Sequence, residues 1–350
     1  MPEKAGSLDP IAEALAASPT LFPHRIDPLT GAVALIRLTA ADYERASFLD
    51  SRAIAPGMAS RTLPWEQLSA ATHSLPERCN FIFHVGHVGS TLLSRLLGAY
   101  RSVFSLREPQ VLRTLAQIRS EPQASWAPDI FEARMAALLK LLSRSFEPTQ
   151  TPLVKATSFV SELAADFLAR TYHPRAILMT VRPERFLATI LGAENSPAEA
   201  RMLAPNRLMR LHRRLGSTRW SLDALSPGEM VAMGWACEMT ALADAAKFAG
   251  AQWLDFDRFL VEPHTGLATS LAHLGIAADA AQIDTILAGP DMQRYSKAPE
   301  HAYDGALREA VLNEAYALAG EEIRRGMAWL ETAAAEFPPI QAALAIRPAP

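Results

Sequence analysis

The stretch 79–97, CNFIFHVGHVGSTLLSRLL, contains residue types spaced to hold an anion: Gly86, Gly89, Ser90 and Thr91, with His87 and Val88 between the glycines. Glycine accepts positive φ and close approach of another group, and Ser90 and Thr91 bring hydroxyls to the start of a helix. Backbone N–H groups converge where such a helix opens, and its unpaired donors and dipole both favour negative charge. The chemistry this suits is the cradling of a phosphate or sulfate. The other reading is an ordinary strand-to-helix turn that contains glycines.

Three more candidates stand at the ends of expected strands. Glu108 follows Val103 to Leu106, Lys155 follows Leu153-Val154, and Arg182 follows the apolar run AILMTV. In open α/β sheets ligands bind outside the carboxyl ends of the strands, which would turn all three toward whatever the glycine turn holds. For Glu108 there is a plainer role, interaction with the start of the helix after Pro109. Thr189 is expected in the helix that follows Arg182-Pro183. Arg207, Arg210 and Arg214 fall at i, i+3 and i+7 on one helix face, which reads as a solvated basic face, with capture of an acidic substrate or nucleotide phosphate as the alternative. Asp255 and Asp257 read as loop-anchoring or capping carboxylates, and His24, set between prolines, as a solvated loop histidine.

The elements needed to position these residues follow from periodicity. Asn80 to Val85 are mostly β-formers, and Leu92, Leu93, Leu96 and Leu97 mark the helix after the turn. Residues 130–147 carry apolar positions at helical spacing and read as a crossover helix. A short strand ends at Lys155, a helix covers roughly 158–170, and AILMTV has the continuous apolar character of a central parallel strand. A further strand around Gln252 to Phe256 leads into a turn at 257–263 and a helix closed by Gly275. Strand and helix alternating in this way predict an α/β fold, a parallel sheet flanked by helices on both faces in three layers. Residues 1–75, with a strand at Ala32 to Leu38 and a helix from near Thr39, read as a small extension packed on the core. Residues 76–335 form the main domain with a helical tail, and 336–350 a proline-rich coil.

Composition narrows the function. A chain of 350 residues with 49% hydrophobic content can bury a sizeable core. A net charge of −3 and a pI near 6.3 argue against a general nucleic-acid binder, so any anion site is local. Cys79 and Cys237 read as buried free thiols of a reducing compartment, with no disulfide or zinc site. The first residues lack an apolar run of signal-peptide length, and nowhere do about 18 uninterrupted apolar residues occur, so a cytoplasmic protein is expected. A magnesium-nucleotide loop is disfavoured. It needs a lysine after its last glycine, where this chain has Ser90, and AILMTV runs into Arg182 where the usual magnesium-holding aspartate would stand.

Taken in order, these segments resemble the sulfotransferases that use 3'-phosphoadenosine 5'-phosphosulfate (PAPS), in particular the bacterial and protein-tyrosine sulfotransferase-like branch, from about Phe81 to Leu274. Gly86-His87-Val88-Gly89-Ser90-Thr91-Leu92-Leu93 resembles that family's PRSGTTLL loop, with His87 where the family has a cation. Glu108-Pro109 resembles its Glu-Pro element, LVKATSF its strand-end lysine, and Arg182, Pro183 and Thr189 its 3'-phosphate motif. The layout of WLDFDRFLVEPHTGLATSLAHLGI is similar to its late strand, turn and helix.

The resemblance implies a P-loop-type fold, PAPS as donor, and sulfuryl transfer to a hydroxyl or amine acceptor without a metal. It implies Glu108 as general base, with His87 and Lys155 at the reacting group. It also implies Gly86, His87, Val88, Gly89, Ser90, Thr91, Arg182 and Thr189 on the nucleotide; Arg294, Ser296 and Lys297 are expected to close over it from their position after the last core helix alone. The acceptor is expected to be a small molecule or peptide, anionic if the arginine-bearing helix serves it, with no nucleic acid or membrane involved. Two alternatives stay open: a small-molecule phosphotransferase of the same broad class, and a non-catalytic nucleotide-binding relative.

Overall fold

The structure is a computed structural model in which residues 10–55, 57–121, 126–295, 302 and 304–346 are described. Among them are the strands β1 (Leu21–Ile26), β2 (Val33–Arg37), β3 (Ser60–Leu63), β4 (Asn80–His84), β5 (Val103–Arg107), β6 (Thr151–Lys155), β7 (Ala176–Thr180) and β8 (Ala251–Asp255). The first three make an antiparallel sheet in the order β1-β2-β3. The other five make a parallel sheet in the order β5-β6-β4-β7-β8, flanked by helices. The α/β class and parallel sheet expected from the alternation of strand and helix are therefore present. AILMT, the run that defines β7, is buried at every position, as a strand covered on both faces must be.

Two compact units divide the chain: residues 1–81 with 98–156, and residues 82–97 with 157–350.

In the first unit β5 and β6 pair in parallel with Arg107 opposite Lys155. The outer edge of β5 is covered from within the unit. The Arg107 guanidinium donates to the carbonyls of Tyr43 and Ala46, and the N–H of Leu49 to the carbonyl of Arg107. An edge strand covered in this way is closed to pairing with another chain.

The helix that begins near Thr39 is Ala40–Arg45, with Thr39 as its cap in a reciprocal capping box. His24 is a correction: it lies in β1 and is only 2% exposed, with burial lowering its pKa. The nearby prolines suggested coil, but Pro23 sits at a register shift of the β1–β2 ladder, where a strand tolerates a residue without an N–H. Arg144, just beyond the helix Pro128–Leu142, donates to the carbonyls of Leu15, Ser18 and Leu21 and so fastens the N-terminal segment. Burial pushes its pKa down to about 10.

In the second unit β7 and β8 pair in parallel with Thr180 opposite Asp255. The turn expected at 257–263 is instead a helix, Phe256–Val261, entered directly from β8. Asp255 caps it by accepting the N–H of Arg258 at 3.0 Å. Helix Pro263–Leu274 ends as expected at Gly275, φ 72°. Residues Pro338–Ala345 are helical rather than coil, because the prolines occupy the first turn, where no N–H partner is required. No helix among the described residues is long and apolar enough to cross a membrane.

Candidate active site

In the second unit β4 runs straight into the glycine turn. Gly86, His87 and Gly89 all have left-handed backbone, with φ of 100°, 53° and 67°; histidine is among the non-glycine residues that tolerate this best. The carbonyl of Gly89 accepts the N–H of Leu93 at 3.0 Å, starting the helix Ser90–Gly98. A Cβ on Gly89 would fall 1.9 Å from Cε2 of Phe256, so glycine is required there by the backbone angle and by the ring. At Gly86 the nearest atom to such a Cβ is Oγ of Ser158 at 3.5 Å, leaving only the angle to demand glycine. Nδ1 of buried His84 accepts the N–H of Gly86 at 3.0 Å, which fixes that ring nitrogen as unprotonated.

This turn opens on a pocket of about 320 Å³, a size that suits a small organic ligand. His87, Val88, Gly89, Ser90 and Thr91 line one side of it, and Thr189 and Phe256 also face it. The Thr91 hydroxyl is buried with no hydrogen-bond partner. Buried polar groups normally find partners, so an unused hydroxyl at a helix start inside a cavity fits a site built for an oxygen-rich ligand. Gly86 and His87 also line a smaller cavity of about 30 Å³ behind the turn, together with Ser158 and Arg207.

Arg308, from the long helix Gly305–Glu336, lines the same pocket and is only 3% exposed. Its Nη2 donates to Oδ1 of Asp257 at 2.7 Å, its guanidinium carbon lies 5.1 Å from the centre of the Phe256 ring, and its Nε has no hydrogen-bond partner. Arg185 Nε lies 2.9 Å from the other oxygen of Asp257, a charge contact too bent to be a hydrogen bond, and its Nη2 pairs with Glu309. Arg308 was not legible in the sequence, nor was its pairing with Asp257, which was expected to anchor a loop or cap a helix. Residues 302–308 read there as the end of a loop and the start of an amphipathic helix, which gives an arginine no distinction.

The other expected site residues are placed as follows. Thr189 lines the pocket, with its hydroxyl donating to the carbonyl of Arg185 at 2.8 Å. Arg294 lines it too, in a short bridge to Ala302. Ser296 and Lys297 lie outside the described residues. Arg182 is exposed at the head of helix Pro183–Leu191 and is not among the residues lining the pocket; Arg185, one turn on, joins the Asp257 network instead.

Glu108 and Lys155 belong to the first unit and meet there. Glu108 has φ 53°, its N–H donates to the carbonyl of Lys155 at 2.6 Å, and its carboxylate pairs with the Lys155 ammonium. The Lys155 side chain is completely buried, with its ammonium 5.8 Å from the centre of the Phe48 ring.

The expected solvated arginine face is a correction. In helix Ser196–Leu215, Arg207 and Arg210 both bond Glu238, and Arg210 and Arg214 both bond Glu162, with Arg210 and Glu238 wholly buried. The periodicity correctly put the three on one face, but that face is turned inward. Buried carboxylates rather than solvent satisfy it, so these arginines offer no open surface to an acidic acceptor. Cys79 and Cys237 are buried free thiols. No group of three or more His, Cys, Asp or Glu side chains among the described residues is arranged to hold a metal.

No family model matches the sequence, and no curated protein matches it. Solved structures similar to the chain include sulfotransferases. One is a sulfotransferase domain from the curacin biosynthetic pathway, at 14% identity over 74% of this chain and 99% of that one, with a TM-score of 0.41. Another is the sulfotransferase domain of the Synechococcus PCC 7002 olefin synthase, at 13% identity, 73% and 97% coverage and a TM-score of 0.39. A third is a sulfotransferase from Mycobacterium avium, at 13% identity, 71% and 78% coverage and a TM-score of 0.38. Superpositions this loose leave the chain's own residues to carry its chemistry.

Proposed function

We propose that the protein is a sulfotransferase that moves a sulfuryl group from PAPS to a hydroxyl or amine acceptor. The observation that carries this reading is the glycine turn of β4, opening a helix into a pocket that holds the unpartnered Thr91 hydroxyl and the buried Arg308 guanidinium. Together they provide backbone donors, a hydroxyl and a fixed cation for an anionic nucleotide of moderate size.

In the proposed reaction the donor supplies the sulfuryl group. Its bond to the phosphate oxygen breaks with the electron pair leaving on phosphate, and a bond to the acceptor oxygen or nitrogen forms in line. Loop N–H groups, Ser90, Thr91 and His87 meet the charge developing on the leaving side. Glu108 takes the acceptor's proton. Thr189 and Arg294 line the proposed nucleotide pocket, whereas Arg182 stands outside its lining.

A non-catalytic nucleotide-binding relative is the second reading, and the pairing of Lys155 with Glu108 favours it, because both groups are already satisfied. Transfer of radiolabelled sulfuryl from PAPS across a panel of phenols, alcohols and amines separates the two. Transfer by the wild type, abolished in Glu108→Gln with nucleotide binding retained, is expected for the enzyme. Binding without transfer by either protein contradicts catalysis.

A further inference from the structure

The glycine turn carries no permanent charge of its own. His87 stands between its glycines, and an imidazole is only partly protonated near neutrality. A sulfonated or phosphorylated ligand brings charge at every working pH, so the site must find a permanent cation elsewhere or bind weakly. In the second unit, Arg308 lines the same pocket as Gly89, Ser90 and Thr91.

Its separation from the turn is a single aromatic ring. Phe256 fills the space beside Gly89 that a Cβ would need, and the Arg308 guanidinium lies 5.1 Å from the centre of that ring. The guanidinium is also held in place. Asp257 is shared, with Oδ1 on Arg308 and Oδ2 facing Arg185, while Arg185 takes a second carboxylate in Glu309. One edge of the Arg308 guanidinium is thereby fixed while its Nε is left without a partner in a buried position. An arginine buried to 3% with an idle N–H is costly to keep unless a ligand satisfies it. Of the carboxylates that line the pocket, Asp304 caps the Arg308 helix by accepting the N–H of Leu307.

We propose that Arg308, aimed by Asp257 and Arg185, is a permanent cation of this pocket, in addition to Arg294 in its lining, and binds the anionic group received by the glycine turn, supplying the charge that His87 cannot. As a residue acting on a donor nucleotide this rests on the function proposed above, but as an anion-binding residue it does not. Asp257 and Arg185 are positioning residues, acting only through Arg308.

The test is calorimetric titration of the full chain with 3'-phosphoadenosine 5'-phosphate, run beside thermal stabilisation by inorganic pyrophosphate, both at pH 8, where imidazoles are largely neutral. Arg308→Met is expected to weaken both ligands by about tenfold to a hundredfold, the loss typical of a charge-assisted hydrogen bond, and Arg308→Lys to recover part of it. Asp257→Asn is expected to weaken binding by less, and to add nothing in the Arg308→Met background, a result that a purely structural role for Asp257 would not give.

Affinities for both ligands within twofold of wild type in folded Arg308→Met overturn the proposal. Should Arg308→Met not fold, unchanged affinities in Asp257→Asn overturn it. Pyrophosphate binding that depends on Arg308, with no binding of the nucleotide, supports Arg308 and removes the donor assignment. A wild type that binds neither ligand removes both.

Discussion

Glu108 and Lys155 meet twice, once through the N–H of Glu108 on the carbonyl of Lys155 and once through an ion pair whose lysine end is wholly buried. Breaking a buried pair from one side typically costs about 3–5 kcal/mol. Glu108→Ala is therefore expected to lower unfolding free energy by that order in denaturant titration, and Glu108→Gln, which keeps a polar partner for the ammonium, by distinctly less. Equal, near-zero effects would show that the pair has no part in stability.

Gly89 and Gly216 share a left-handed backbone, with φ of 67° and 64°, but not a neighbourhood. A Cβ on Gly216 meets nothing within 4 Å, whereas one on Gly89 meets the Phe256 ring. Gly216→Ala should cost only the backbone term, about 1–2 kcal/mol. Gly89→Ala should add the cost of displacing a packed ring, about 1–3 kcal/mol more, and should weaken nucleotide binding. Chemical denaturation of the two variants side by side checks the difference.

Glu238 is buried between Arg207 and Arg210. Removing its charge in Glu238→Gln is expected to cost about 3–5 kcal/mol. The exposed pair Arg324 and Glu321 should tolerate Glu321→Gln within about 1 kcal/mol. A thermal melt of both variants reads the contrast, and comparable losses would contradict the inward-facing arginine network.

Glu162 should shape the acid limb of stability. Burial alone would raise its pKa, but Arg214 and Arg210 outweigh burial and hold it below the ordinary value of 4.5. A carboxyl depressed in the folded state stabilises fully above its unfolded pKa and loses that contribution as pH falls through the folded one. Stability measured from pH 6 downward should thus fall below about pH 4.5, and Glu162→Gln should make that decline shallower. An unchanged acid limb in the variant would contradict the assignment.

What was legible in the sequence was what local pattern encodes. The apolar run of β7, the glycines of the turn and the helix start near Thr39 each state their structure within a few residues. The inward turn of Arg207, Arg210 and Arg214 was not legible, because their partners Glu162 and Glu238 lie on other elements and a helix face does not say which way it points. Arg308 escaped for the same reason, since its meaning comes from Asp257 and Phe256. His24 was misread because a proline-rich context outweighed the short strand through it.

The central claim, a pocket built for a 3'-phosphorylated adenine nucleotide, is tested most directly by titrating the protein with 3'-phosphoadenosine 5'-phosphate and, separately, with ATP and magnesium. Saturable binding of the first, at least tenfold tighter than the second, is the expected result. Tighter binding of magnesium ATP would contradict it and move the chain to the phosphotransferases.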